Sequence, residues 1–433
     1  MLKMARLNIR RAQAEHKNAD KNASTYRKRA LKSVLRGAAA VLVTGVLAVS
    51  PRPAQLQYNP VIPLSDIIPT QTMSQIQGLA SDISEKGNPA TTLQKILKPQ
   101  QLFIPGVKGT GKALKVLLSE YNWSTDLWNG ASWWQDPNIL ITVMEYSAVT
   151  HTKTYLRYAN ATFNKYKSGH FLDEYYDDEG WWANAWLMAY KMTRNPKFLH
   201  MAQYIAHDME EGYGTGGCGG GIPWDKSHTY DNAIPNLLFM NITLGLYEIL
   251  PHDKGYFNWA TRDYKWFIDS GMLNHSYLVN DGLTSSCTNN GGSVWTYNQG
   301  EFIGALVKFA KVTGKAKYLY LAELVANATD IADTNRHGIM YEISCAINGD
   351  CNTGSFQFKS IYMYNLDALY NATKNAAYGA FIARNADSIW LHDRSNYTFG
   401  YDWTGPSTDA NSVTQAGALA SVLFCDMLPL RHT

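Results

Sequence analysis

The sequence predicts an all-α fold, a toroid of helical hairpins closed around one cleft. Three observations carry this prediction. Helical patterning starts near residue 107 and continues almost to the end of the chain. A short turn motif recurs five times along that stretch. The connections between repeats are long and rich in Gly, Asn and Trp, whereas an open solenoid has short, even repeats and polar capping helices.

Composition sets the frame. With 433 residues, 45% hydrophobic and 17% charged, the chain is globular and can hold one large domain or two to three average ones. Aromatic residues make up 12%, a surplus that suits packing on flat sugar faces as well as large cores. The net charge is +3, and much of the basic excess lies in the first 36 residues, so the body carries no footprint for nucleic acid.

Three regions follow in order. Residues 1–50 combine a basic run, from Lys3 to Lys32, with an apolar block from Gly37 to Ser50. That block is shorter than the roughly 20 residues a spanning helix needs. It reads as a secretory signal or as an uncleaved membrane anchor. Residues 51–106 are rich in Pro, Ser and Gln and read as a linker or pro-segment. Residues 107–430 form the helical domain. Sequons at Asn122, Asn160, Asn241, Asn274, Asn327, Asn371 and Asn396 predict a secreted or cell-surface glycoprotein. Cys345 and Cys351 are spaced to close a small loop, and the odd count of five cysteines leaves at least one thiol unpaired. The chain has no Cys-x-x-Cys, no His-Glu-x-x-His and no apolar tail before its end, so neither a metal, a cofactor nor a lipid anchor is expected.

Within the domain, Val107 to Tyr121 and Pro137 to His151 carry apolar residues at helical spacing. The turn motif then recurs: a polar turn, an aromatic, and a small residue four places on. Tyr155 leads to Ala159, Phe198 to Ala202, Tyr256 to Ala260 and Tyr318 to Ala322. Tyr378 leads to Ile382, the one copy without a small residue. The aromatic plugs the turn, and the small residue lets two helices approach closely. Five copies plus the opening helices predict about six hairpins.

The chain is organised around Glu174-Tyr175-Tyr176-Asp177-Asp178-Glu179-Gly180-Trp181-Trp182. Acids at a helix start are ordinary capping material, because free N–H groups and the helix dipole favour negative charge there. Here large aromatics flank them, and an aromatic-walled carboxylate pair is what glycosidic cleavage needs. Neighbouring Cα atoms lie about 3.8 Å apart, so both carboxyls can reach one small volume. Two close carboxyls do not both ionise easily; one keeps a proton and becomes the donor. Adjacency favours a retaining mechanism over an inverting one, which needs room for water.

Further candidates lie downstream. Gly212 to Gly217 contains a Gly-x-Gly-x-x-Gly, but a helix precedes it, so it reads as a flexible loop that admits a ligand rather than a dinucleotide site. Asn232 is either a sugar contact or a helix cap, and Asp281 either a sugar contact or part of a turn. Trp295 and Tyr297 read as a sugar platform at a helix start. His207, His228 and His337 have no partner pattern, and no Gly-x-Ser-x-Gly elbow occurs.

Several stretches together resemble glycoside hydrolase family 76. They are Tyr-Tyr-Asp-Asp-Glu-Gly-Trp-Trp (175–182), Cys-Gly-Gly-Gly-Ile-Pro-Trp (218–224), Val-Asn-Asp-Gly-Leu (279–283) and Trp-Thr-Tyr-Asn-Gln-Gly (295–300), joined by Phe-Lys-Ser-Ile-Tyr-Met (358–363) and Phe-Gly-Tyr-Asp-Trp-Thr-Gly-Pro (399–406). The resemblance implies an (α/α)6 barrel and retaining endo-α-1,6-mannanase activity. It implies Asp177 as nucleophile and Asp178 as acid/base, with Asp281, Trp295 and Tyr297 along the mannan cleft; Trp181, Trp182 and Asn232 complete the expected substrate-binding set. Ser360 and Glu301 depart from the common family pattern, and Glu301 is expected to add a carboxylate near the cleft. The expected partner is α-1,6-mannan or a related mannosylated glycan, with no nucleic acid and no protein partner, and the chain is expected to be a monomer. The competing readings are a transglycosylase acting on mannosylated anchor glycans and a non-catalytic mannan-binding protein.

Overall fold

In a computed structural model of the protein, residues 106–348 and 353–427 are described. They belong to one compact unit, Leu102–Thr433. The basic region, apolar block and linker expected before them lie outside the described residues, as does Cys351.

Thirteen α-helices occur among the described residues. In chain order they are α1 (Gly106–Ser119), α2 (Gln135–Val149), α3 (Leu156–Tyr166), α4 (Tyr176–Thr193), α5 (Pro196–Glu211), α6 (Ala233–Ile249), α7 (Lys254–Asp269), α8 (Thr296–Thr313), α9 (Ala316–Ala332), the short α10 (Ile343–Asn348), α11 (Phe358–Thr373), α12 (Ala376–Ser388) and α13 (Ser412–Met427). Two-stranded hairpins at 121–128 and 394–399 are the only paired strands described.

Helices α2, α4, α6, α8, α11 and α13 each pack on the next, and α13 packs back on α2, which closes an inner ring of six. An outer helix covers each one. The expectation of an (α/α)6 barrel holds. Composition decides which helices go inside. Helix α6 is apolar nearly all round and is buried from Ala233 to Leu246, as a fully enclosed helix must be. Helix α7 buries only Ala260, Asp263 and Phe267, a one-sided stripe. Inner helices also come close where side chains vanish: a Cβ on Gly300 would lie 2.6 Å from the Tyr362 Cα on α11.

All five copies of the turn motif fall between an inner helix and its outer partner. Asn195, Asp253 and Asn375 accept backbone N–H groups two residues on and start the outer helices. Phe198, Tyr318 and Tyr378 are buried in their turns, and Ala159, Ala202, Ala260, Ala322 and Ile382 are all buried beneath them. The sixth hairpin is built differently. It pairs α13 with α1, so the two ends of the described domain complete the ring. No local turn marks this pairing.

Short turns therefore sit at the C-terminal ends of the inner helices. The long connections all lead into their N-terminal ends. The loops gather on one face, where the first turns of the inner helices open. The disulfide Cys218–Cys287, with Cα atoms 5.3 Å apart, ties the 212–232 loop to the 270–295 loop. Cys345 is also disulfide-bonded, and Cys425 is buried in α13. One sequon is overturned as a glycan site: Asn241 is 1% exposed inside α6, and its amide donates to the Glu301 backbone and carboxylate.

Candidate active site

Asp177 and Asp178 occupy the first turn of α4, where Tyr175 enters in extended conformation. The chain around Tyr175 is pinned to the loop after α5. Tyr176 N–H donates to Trp224 O at 3.0 Å and Lys226 N–H donates to Glu174 O at 2.9 Å. This brings the Trp224 indole toward the Asp177 carboxyl. The two carboxyls meet unequal surroundings. Burial pushes both up, but the Trp224 indole and the N–H groups of Asp177 and Asp178 favour the charged form of Asp177, which is raised only to about 7. Asp178 has no such donors. Burial, then the charge of Asp177, then those of Asp173 and Glu179, push it up to about 9. The pair is thus split, with the proton held more firmly on Asp178.

The third acid of the run turns away. Glu179 is fully buried; its Oε1 takes the Asp173 N–H at 3.1 Å and pairs with Lys226. Lys226 also reaches Asp208 on α5 at 2.9 Å and lies over the Tyr176 ring. One cation thereby fastens α4, α5 and the Trp224 loop together.

Rings from four inner helices wall the region. Trp134 precedes α2, Trp181 is on α4, Trp295 and Tyr297 open α8, and Phe358 opens α11. Tyr297 stacks on Phe358 with centroids 4.0 Å apart, and Trp134 lies 6.0 Å from Trp181 and 5.9 Å from Phe358. Asp281 faces this wall. Its carboxyl accepts from Tyr230 Oη at 2.6 Å and from the Trp295 indole, while burial raises its pKa. Burial, then the charges of Asp281, Asp177 and Glu342, push the Tyr297 hydroxyl well above its usual pKa. Asn232 stands at the N-cap of α6, yet its side chain makes no cap bond. Its Oδ1 is buried without a hydrogen-bond partner among the described residues. The capping reading of Asn232 therefore fails.

Three expectations are corrected. Trp182 is not at the cleft: it is 0% exposed, in the aromatic core among Trp133, Phe171 and Trp186. Adjacent residues on a helix point about 100° apart, so with Trp181 turned to Tyr297, Trp182 must face the outer layer. Glu301 adds no carboxylate to the cleft. It lies one turn deeper, accepting from Asn365 at 3.1 Å and Asn241 at 2.8 Å, with Lys308 opposing the upward push of burial. Part of the 212–221 glycine loop serves packing rather than a ligand: a Cβ on Gly216 would strike the Asp231 carboxylate, and Gly220 and Gly221 lie against the Trp266 ring, whereas a Cβ on Gly214 or Gly219 would meet nothing within 4 Å.

Trp134, Trp224, Tyr230 and Phe358 were not singled out from sequence. Trp224 and Phe358 lie inside motif stretches, but only ring closure brings them to the acid pair. Among the described residues no group of three His, Cys, Asp or Glu side chains could hold a metal ion.

Fold and site together define an α/α toroid with a split carboxyl pair in a ring-walled cleft, a design suited to carbohydrate chemistry. The chain belongs to glycosyl hydrolase family 76, whose family model matches residues 112–427. Among its relatives is the mannan endo-1,6-alpha-mannosidase DCW1 of Saccharomyces cerevisiae, 26% identical over 201 residues, or 43% of this chain and 44% of the relative. The mannan endo-1,6-alpha-mannosidase DFG5 of the same yeast is 29% identical over 206 residues, again 43% and 44%. The chain thus matches less than half the length of these relatives. Among solved structures, the Lin0763 protein of Listeria innocua superposes with a TM-score of 0.68 at 21% identity, covering 75% of this chain and 98% of that one. An inactive double-aspartate variant of the α-1,6-mannanase GH76A of Salegentibacter sp. HEL1_6, in complex with α-1,6-mannotriose, superposes with a TM-score of 0.65 at 20% identity. It covers 74% of this chain and 98% of that one.

Proposed function

We propose that this chain is a retaining endo-α-1,6-mannanase acting at the cell surface or outside the cell. The observation that carries the reading is the unequal environment of the acid pair: hydrogen-bond donors turn to Asp177, and like charges crowd Asp178. Asp177 attacks the anomeric carbon while Asp178 gives its proton to the departing glycosidic oxygen. The C–O bond breaks and a mannosyl ester forms on Asp177. Asp178, now a base, takes a proton from water as that water attacks the same carbon, which frees Asp177 and restores the proton on Asp178. Trp295, Tyr297 and Phe358 form the ring surface on which mannose units lie, and Asp281 with Asn232 takes hydroxyl groups. The names of the relatives support mannan as substrate.

The test is digestion of linear α-1,6-mannan by the purified chain, with product sizing over time. Internal cleavage yields a falling ladder of oligosaccharides, and Asp177→Asn yields none while keeping its melting temperature. A folded wild-type chain that binds mannan but releases nothing overturns the reading. Transfer products that form only with an added mannoside acceptor redirect it to a transglycosylase.

A further inference from the structure

Helix α8 opens the ring platform, yet its N-cap residue is Trp295, which makes no side-chain cap bond. The first N–H groups of a helix need acceptors from somewhere. Here an acceptor comes from Glu342, 46 residues after Thr296. Glu342 directly precedes α10 and is 2% exposed. Its Oε1 takes the Thr296 backbone N–H at 3.1 Å, and its Oε2 takes the Thr296 hydroxyl at 2.6 Å. Two residues on, Ser344 Oγ takes the Val294 N–H at 3.0 Å. Residues 342–344 thus grip 294–296 through three hydrogen bonds.

The geometry points to Glu342 as a positioning residue for this cleft: it caps α8 from another segment and so sets Trp295 and Tyr297, the two residues that flank Thr296. The inference rests on the reading of those rings as the mannan platform given above. An Asp, Asn or Ser at the N-cap would close the helix locally. Position 295 instead holds an indole that donates to Asp281, so the cap has to arrive from elsewhere in the chain. The other restraints on the two rings act at different points. Gln299 Nε2 donates to Trp295 O at 3.1 Å, and Phe358 stacks on the Tyr297 ring at 4.0 Å. Neither holds the N–H end of the first turn. Thr296 is fully buried, so removing the carboxyl leaves two buried donors without their acceptor. The turn then shifts to find new partners, and the rings on either side shift with it.

The experiment compares wild type, Glu342→Ala and Glu342→Gln, with Ser344→Ala as a milder second probe. Gln keeps an oxygen for the Thr296 N–H and an amide for its hydroxyl; Ala keeps neither. Three readouts are taken: melting temperature, KM and kcat on α-1,6-mannan, and the Trp295 indole N–H resonance by NMR, assigned with Trp295→Phe. In Glu342→Ala, KM rises about three- to tenfold while kcat stays within about twofold, and the Trp295 resonance moves. Glu342→Gln restores KM and the resonance. Where Glu342→Ala does not fold, Ser344→Ala decides: a rise in KM of about twofold with a moved Trp295 resonance supports the inference, and no change in either overturns it. A folded Glu342→Ala that loses melting temperature alone, with KM and the Trp295 resonance at wild-type values, overturns the inference. So does a Glu342→Gln as impaired as Glu342→Ala. A wild type inactive on mannan overturns the proposed function instead, and the Trp295 resonance still decides whether Glu342 sets the platform.

Discussion

Replacing Lys226 by Met keeps the aliphatic stem over Tyr176 and deletes the ammonium. Glu179, at 0% side-chain exposure, then loses the one cation that pairs with it among the described residues. Breaking a buried pair from one side typically costs about 3–5 kcal/mol. Lys226 is itself 34% exposed, so water replaces part of what it supplies, and the cost falls to about 2 kcal/mol. The cost depends on pH with a definite sign. Burial raises Glu179 from 4.5 to about 8 against the pull of Lys226. A raised carboxyl contributes stability that is fully present below its unfolded pKa and is lost as pH rises through its folded pKa. Without Lys226 the folded pKa climbs further, so the loss keeps growing above pH 8. Urea unfolding of wild type and Lys226→Met at about pH 6 and pH 9 measures this. The expected penalty is a few tenths of a kcal/mol at the lower pH and about 2 kcal/mol at the higher. Equal penalties at both would show that Glu179 is not held by this pair.

Other expectations follow from the same structure. Asp136, Glu145, Asp330, Glu342 and Asp393 are each raised to about 7 from ordinary values of 3.8 or 4.5, chiefly by burial, so their contribution to thermal stability is full below about pH 4 and is lost as pH rises from about 4 to 7; a melting curve that rises across that window would refute this. Opening Cys218–Cys287 with paired serines removes a crosslink across 69 residues, and the chain-entropy relation gives a loss of about 4 kcal/mol, read by urea unfolding. A loss under 1 kcal/mol would mean the two loops hold together without it. Trp182→Phe should lower the melting temperature and leave KM for mannan unchanged. Trp295→Phe, which deletes the N–H on Asp281, should raise KM several-fold with little change in melting.

How much of this was legible in the chain depended on distance along it. The five inner-to-outer turns could be read because each is local: a capping Asn or Asp, a buried ring such as Phe198, a small residue such as Ala202. The pairing of α13 with α1 could not, since it joins segments some 300 residues apart and leaves no turn chemistry between them. The acid pair was visible because its members are neighbours. What splits it was not, because Trp224 reaches it only through the folded loop. Trp181 and Trp182 look equivalent on paper, and only helix rotation separates the ring that faces Trp134 and Tyr297 from the one packed among Trp133, Phe171 and Trp186. Asn241 shows the converse: its sequon is a pattern of three residues, while its burial is a property of the whole ring.

The central claim is the division of labour between Asp177 and Asp178, and covalent trapping tests it most directly. Asp178→Ala is incubated with a 2-deoxy-2-fluoro α-mannoside bearing an activated leaving group, which needs no proton to depart, and the labelled peptide is sequenced by mass spectrometry. The account predicts one mannosyl ester, on Asp177. An ester on any other residue, or inverted product with no ester at all, contradicts it.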